Sequence, residues 1–295
     1  MSEIADIDGC LVIDKPAGWT SHDVVARVRR LLGTRRVGHA GTLDPDATGV
    51  LVIGIGRATR LLRFVTLLRK TYIGEVALGV ATSTLDASGE VTARADMRGV
   101  APEEVRMAAL SLTGRLSQVP PMVSAVKIGG RRLHELAREG VEVERPARPV
   151  EVFRFEVFDT GTPLLYQLLV ECSSGTYVRV LASDLGARLG GLAHLRALRR
   201  VAIGSFRDTE ALALDDVCAS KVLPCLELVR DMPSANIAGE DLDAVMHGRS
   251  VGRAPLALAG DGPFALVGPD GELVAIAETR GADKLRPAVV LAAAR

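Results

Sequence analysis

Two aspartates two apart, Asp44 and Asp46, stand in GTLDPDATGVL (residues 41–51), with Thr48 after them. Two chemistries fit a D-x-D-x-T pattern. In the first, Asp44 attacks phosphorus, Asp46 moves protons and magnesium sits beside them. In the second, one carboxylate works alone as a nucleophile on a nucleoside, and Asp46 takes no part. A plainer reading makes the pair a turn, because an Asp side chain caps its own backbone and proline fixes φ.

The phosphorus chemistry, of the haloacid-dehalogenase type, needs both carboxylates at the end of a buried strand, at the crevice of a parallel sheet. The residues before Asp44 are RRVGHAGTL. Two arginines, a histidine and two glycines are not expected to form such a strand. No later acidic pair follows a hydrophobic strand to complete a magnesium site. The four cysteines, Cys10, Cys172, Cys218 and Cys225, form no C-x-x-C pair and have no histidine cluster near them. A structural zinc site is therefore not expected, and buried free thiols at Cys10 and Cys172 fit a reducing cytoplasm.

Only 3% of the 295 residues are aromatic, so Tyr72, Tyr166 and Tyr177 stand out. Tyr177 and Arg179 are two apart, and on a helix such residues do not face each other. They can serve one site only from a helix start or a strand. Basic and acidic residues balance at 36 each, which neither favours nor excludes a basic face. Arg27, Arg29, Arg30, Arg35 and Arg36 nonetheless lead directly into the aspartate loop, and Arg131, Arg132 and Arg138 cluster further on.

The elements that must position these residues follow from periodicity. CLVIDKP reads as a buried strand ending at Pro16. SHDVVARVRRLL reads as a helix with Ser21 as its N-cap and Val24, Val28, Leu31 and Leu32 on one face. GTRRVGHAGTLDPDATG reads as a long loop, a length usually tied to function. VLVIGIG, TYIGEVALG, RPVEVFRFEVFD and LLYQLLVEC read as strands, the third alternating as a half-buried antiparallel strand does. ATRLLRFVTLL and PEEVRMAALSLTG read as helices, the second with Pro102 in its first turn. SSGTYVRVLASDLGARLG reads as a loop feeding a helix. Beyond residues 232–233 come a short helix, GEDLDAVMHG, and three brief strands, PFALVG, ELVAIAE and AVVLAAA, a small β-rich unit of about 60 residues. No basic n-region precedes an apolar stretch at the N-terminus, and no long uninterrupted apolar run appears, so neither a signal peptide nor a membrane span is expected.

RVGHAGTLDPDATGVLVIGIGRATR resembles the signature loop of the bacterial tRNA pseudouridine-55 synthases, the TruB type of pseudouridine synthase. LVIDKPAGWTSHDVV resembles the family's K-P-x-G-x-T-S motif. KTYIGEVALGVATSTLDASGEV resembles the segment carrying its base-stacking tyrosine. PPMVSAVKIGGRRLHELAREGVEVERPARPV resembles its long middle segment. CSSGTYVRVLASDLGARLGGLAHLRALRRVAIGSF resembles its G-T-Y-x-R motif and the stretch after it. The motifs occur in the family's order over residues 9 to about 210. The tail resembles a PUA-type domain more weakly.

The resemblance implies an α+β fold: a mixed, mostly antiparallel central sheet flanked by helices over residues 1–230, and a PUA-like RNA-binding domain over residues 231–295. It implies Asp44 as the catalytic aspartate, Arg179 as its ion-pair partner and Tyr177 as the tyrosine near C5 of the base. Tyr72 would pack on the target uracil, Leu198 would wall the pocket and Lys15 would support the active-site loop. His39 would fill the space left by the extruded base. The charge of the cluster that leads into the loop, Arg35 and Arg36 included, is separately expected to meet phosphate and make affinity salt-dependent. The implied reaction isomerises uridine to pseudouridine in the T-arm stem-loop of tRNA. It needs no cofactor, metal, membrane or protein partner, and a monomer suffices. His134 and Val123 stand where the family commonly has aromatic residues and are expected to be packing positions. A competing reading from another class is a non-catalytic tRNA-binding protein.

Overall fold

The computed structural model describes residues 7–124, 126–281 and 283–291; the side chains of residues 132 and 134 lie outside that description. The readings of Arg132, His134 and residues 292–294 therefore fall outside it.

The chain opens with β1 (Gly9–Lys15), α1 (Ser21–Leu32), β2 (Val37–Ala40) and β3 (Thr48–Ile55). A turn of 3-10 helix and α2 (Leu62–Leu67) lead to β4 (Lys70–Leu78), then to the hairpin of β5 (Val80–Thr82) and β6 (Val91–Arg94). Next come α3 (Pro102–Leu110), β7 (Gly114–Gln118) and an excursion holding β8 (Lys127–Ile128), β9 (Arg131–Arg132) and α4 (Leu133–Arg138). The chain returns through β10 (Arg148–Asp159), β11 (Leu165–Cys172), α5 (Val178–Arg188), β12 (Ala193–Ile203), β13 (Phe206–Arg207) and β14 (Leu212–Ala213).

Ten strands form one sheet in the order β14-β1-β3-β12-β4-β11-β10-β7, with β2 paired to β3 and β13 to β12. Only β1 with β14 and β3 with β12 run parallel, so the sheet is mixed and mostly antiparallel. Along β1 and β3 the two-residue period buries both faces. Leu11, Ile13, Leu51, Ile53 and Ile55 pack beneath α1, and Cys10, Val12, Val50 and Val52 face α2. The other half of the sheet is covered by α3 and α5, which bury Val105, Ala109, Leu181 and Leu185 against Val76, Phe155, Leu168 and Val170.

Two glycines let β12 approach its neighbours closely. Gly49 has φ +98°, and a Cβ there would lie 2.2 Å from the Arg200 carbonyl oxygen. A Cβ on Gly74 would lie 2.3 Å from the Ala197 carbonyl oxygen, beside the bulge between Leu195 and Ala197. A methyl group at either position would push β12 off the centre of the sheet.

Several sequence expectations need correction. The N-cap of α1 is Thr20, whose hydroxyl accepts from the Asp23 N–H, while the Asp23 side chain accepts from the Thr20 N–H. This capping box leaves Ser21 as the first helical residue, buried elsewhere. Leu31 is 36% exposed, and Val25 takes its place on the buried face. The long loop before Asp44 contains β2, a strand that polar and glycine residues hide from a periodicity test. β12 carries no clean alternation either, because its bulges break the period. The helix expected over residues 58–68 starts as 3-10 helix.

A second sheet follows from β15 (Ser234–Asn236), α6 (Gly239–Met246), β16 (Val251–Gly252), β17 (Phe264–Val267), β18 (Leu273–Arg280) and β19 (Lys284–Val290), in the order β15-β17-β18-β19-β16. It does not hang free. Ala265, Leu273, Ile276, Val289 and Leu291 join the cluster of Val12, Val50, Leu61 and Val65. Arg57 and Arg60 donate to the carbonyls of Leu291 and Val290 at 2.5 and 2.7 Å.

Candidate active site

Asp44 lies in the turn between β2 and β3, where the Ala47 N–H donates to its carbonyl at 3.1 Å. The turn reading is thus correct for the backbone, while the side chain reaches into open space. Two clefts, of about 480 and 380 Å³, open on either side of Asp44, Arg179 and Leu198, which line both.

Arg179 is the organising cation. It is 4% exposed and sits in the first turn of α5, with Tyr177 as the N-cap residue. The helix start therefore resolves the two-residue spacing, and both side chains line the second cleft. The Arg179 Nε lies 3.0 Å from Asp44 Oδ2, and Nη1 lies 3.4 Å from Asp86 Oδ2. Nη1 and Nη2 also donate to the carbonyls of Thr84 and Val123 at 3.0 and 2.9 Å. One guanidinium thus ties the aspartate loop, the 84–88 turn and the middle excursion together.

Burial pushes the Asp44 carboxyl above the ordinary carboxylate range, and the Arg179 charge pulls against that rise. Ion pairing alone would predict the opposite direction; here desolvation outweighs it. Asp86, which the sequence shows only as part of a turn, is fixed by Thr84 Oγ1 at 2.6 Å and by the N–H and hydroxyl of Ser88 at 3.1 and 2.6 Å.

Tyr72 is 7% exposed and lines the second cleft with Tyr177 and Leu198. Beneath them lie two cations that sequence reading did not single out. Arg200, 1% exposed, donates to the carbonyls of Val50 and Gly41 at 2.8 and 3.0 Å. Lys70 donates to the carbonyls of Thr66 and Leu68 at the end of α2, both at 2.7 Å. Burial, then Arg200, lowers the Lys70 pKa to about 8. A run of LRR gave a signal for Arg200, but only the register of β12 against β3 and β4 shows that it points inward.

Lys15 is fully buried, and its ammonium donates to the carbonyls of Pro16, Trp19 and Pro45 at 2.9, 2.5 and 2.8 Å. Burial lowers its pKa to about 8, against the pull of Asp46 and Asp44. His39 lies on β2, edge-on to His22 with ring centroids 5.5 Å apart. Its buried Nδ1 has no hydrogen-bond partner among the described residues, and burial, His22 and Arg200 lower its pKa to about 4. His39, Arg35 and Arg36 line neither cleft; Arg35 and Arg36 are exposed where the chain enters β2. Val123 is 38% exposed rather than packed, and lines the first cleft. Tyr166 is a core residue, as its strand position suggests.

The two-carboxylate phosphorus chemistry finds no support in this geometry. Asp44 stands in a loop between antiparallel strands, and Arg179 bridges it to Asp86. Among the described residues no group of His, Cys, Asp and Glu side chains has the arrangement of a metal site. Asp46 is exposed at the rim of the first cleft. Asp46→Asn is expected to lower turnover less than about tenfold, about 1.4 kcal/mol of barrier. A complete loss of turnover would restore the two-carboxylate reading.

Sheet and cleft together are of the pseudouridylate synthase class. Residues 29–178 match the model of the TruB family pseudouridylate synthase N-terminal domain, and residues 179–224 match that of the tRNA pseudouridylate synthase B C-terminal domain. A tRNA pseudouridine synthase B of Thermobifida fusca (strain YX) is 46% identical over 97% of this chain and 99% of its own length. Another, of Mycolicibacterium paratuberculosis, is 44% identical over 96% and 99%. The chain belongs to the TruB family of pseudouridylate synthases. A solved Cbf5-Nop10-Gar1 complex contains a chain with the same fold, at a TM-score of 0.76 and 24% identity over 98% of this chain and 86% of that one.

Proposed function

We propose that this chain isomerises uridine to pseudouridine in the T-arm loop of tRNA, at position 55, with Asp44 as the nucleophile. The observation that carries the reading is the Asp44 carboxylate, held 3.0 Å from a buried arginine in the wall shared by two clefts. Two tyrosines and a leucine surround the second of these clefts. It is a site for one flat base and one reacting carbon.

The N1–C1′ bond breaks, the base rotates, and C5 bonds to C1′ while the C5 proton leaves and N1 gains one. Atoms and electrons balance without an imported group. Asp44 attacks C6 of the base or C1′ of the ribose. The target base must leave its stack to reach that carboxylate, and Tyr72 offers the face it packs on. Tyr177, or a water it holds, takes the C5 proton. Leu198 keeps water from the detached base. His39, neutral at pH 7, supplies a ring for the gap in the RNA.

Charge supports a nucleic-acid substrate. The second cleft carries Lys70, Arg148, Arg179 and Arg200 against the single carboxylate of Asp44. On our reading residues 1–230 hold the catalytic machinery and residues 231–295 add an RNA-binding domain. The latter has nine acidic and six basic residues, so most phosphate contacts fall to the former. Free thiols at all four cysteines fit a reducing cytoplasm, and among the described residues no helix is long and apolar enough to cross a membrane.

Arg30, Arg35 and Arg36 are exposed at the approach to the catalytic loop. Replacing the three by glutamine is expected to flatten the slope of log affinity against log salt by about one unit per lost phosphate contact. An unchanged slope in a filter-binding titration places the RNA on another face. The reading as a whole is tested by release of tritium from C5 of uridine in a T-arm transcript, with EDTA present; binding without release favours the non-catalytic tRNA-binding protein.

A further inference from the structure

Asp44 is flanked by Leu43 and Pro45, and both neighbours are held by one short segment, residues 15–21. The Pro45 carbonyl accepts from the Lys15 ammonium at 2.8 Å and from the Gly18 N–H at 3.0 Å. On the other side, the Ser21 hydroxyl accepts from the Leu43 N–H at 2.9 Å and faces the Leu43 carbonyl at 3.3 Å. Ser21 is fully buried, so its hydroxyl has no water to turn to, and it accepts from the N–H and donates to the carbonyl of one residue, Leu43, on either side of its Cα. Thr20, one residue earlier, does the separate work of capping α1.

We propose that Ser21 is a positioning residue for catalysis: its buried hydroxyl grips both polar groups of Leu43 and so fixes where the Asp44 carboxylate stands. This rests on Asp44 being the nucleophile. The division of labour between Thr20 and Ser21 follows from the geometry. Thr20 and Asp23 satisfy the first backbone groups of the helix at its exposed start. Ser21 turns inward from the first helical position and hooks a loop more than twenty residues away. Loss of the hook leaves a buried N–H and a buried carbonyl without a partner, and the loop relaxes to satisfy them. Displacement of a reacting group by about 1 Å costs on the order of 10²-fold in rate. Substrate stacking, phosphate contacts and the helix itself do not depend on this hydroxyl.

The test compares wild type, Ser21→Ala and Thr20→Ala in the tritium-release assay, with transcript affinity and melting temperature measured on each. Ser21→Ala is expected to lower kcat on the order of 10²-fold with RNA affinity within about twofold. Thr20→Ala is expected to lower the melting temperature while kcat stays at the wild-type value. Equal kcat in wild type and Ser21→Ala overturns the proposal, as does an equal loss in both variants, which would assign the effect to the helix start. If Ser21→Ala does not fold, Ser21→Thr and Ser21→Cys decide it. Turnover near wild type for Thr and low for Cys supports the hydroxyl; the same turnover in both overturns it. Absence of release by the wild-type protein sinks the catalytic reading itself, a result distinct from any of these.

Discussion

Asp44→Asn is expected to abolish pseudouridine formation while leaving affinity for the tRNA T-arm within a few-fold of wild type. The amide keeps the volume and the turn but has no lone-pair charge to form a bond to carbon. The Tyr72 ring proposed to stack on the base and the cations of the second cleft remain in place. Stability separates this from a folding defect. Burial raises the Asp44 pKa, so the folded state holds that proton more tightly than the unfolded chain. Its favourable contribution is present below the unfolded carboxyl pKa and is lost as pH rises through the higher folded value. Above that higher value the ionised carboxylate opposes folding, and the neutral amide removes that opposition. The melting temperature of Asp44→Asn at pH 7 should equal or exceed that of wild type. A variant that loses RNA binding in step with turnover, or that melts well below wild type, contradicts the assignment.

Arg179→Lys is the second large effect. Arg179 reaches two carboxylates and two carbonyls from three segments of chain. A lysine ammonium is a single point on a flexible stem and cannot span that set. The expected loss in kcat is on the order of 10²- to 10³-fold, the scale for removing a preorganised hydrogen-bond donor from a reaction site. The pH profile supplies a second readout. Arg179 is the main influence opposing the rise of the Asp44 pKa. Lysine keeps the charge but not the 3.0 Å approach of Nε to the carboxylate, so, on the reading of Asp44 as an ionised nucleophile, the acid limb of kcat/KM should move to higher pH. A variant with the wild-type acid limb and only a raised KM would show that Arg179 binds substrate and does not tune the nucleophile.

Much of this site could be read in the sequence because its motifs are local. D-P-D-A-T-G and G-T-Y-V-R each fix a loop and the side chains it presents, and Lys15 lies in a third such stretch. The structure places Asp44, Tyr72, Tyr177, Arg179 and Leu198 around one cleft. What the sequence hid depends on long-range register. Arg200 and Lys70 become visible as buried cations only once β12 lies between β3 and β4. Asp86 reads as an ordinary turn residue until α5 brings Arg179 to it from 93 positions along the chain. Ser21 reads as a cap because capping residues are common before a helix, and the box formed by Thr20 and Asp23 displaces it. The raised Asp44 pKa was likewise hidden, since charge pairing can be guessed from sequence and burial cannot. At fold level, β3 showed itself through an unbroken apolar run. β2 and β12 did not, the one being rich in glycine and histidine, the other broken by bulges.

The most direct measurement of Asp44 as nucleophile uses a T-arm transcript carrying tritium at C5 of a single uridine, at position 55, incubated with wild-type protein and with Asp44→Asn in the presence of EDTA. Release of tritium to water by wild type, one equivalent per transcript, with none from Asp44→Asn at equal RNA binding, is the predicted result. Release by both proteins alike, or by neither while both bind the transcript, contradicts Asp44 as the nucleophile of a uridine isomerisation.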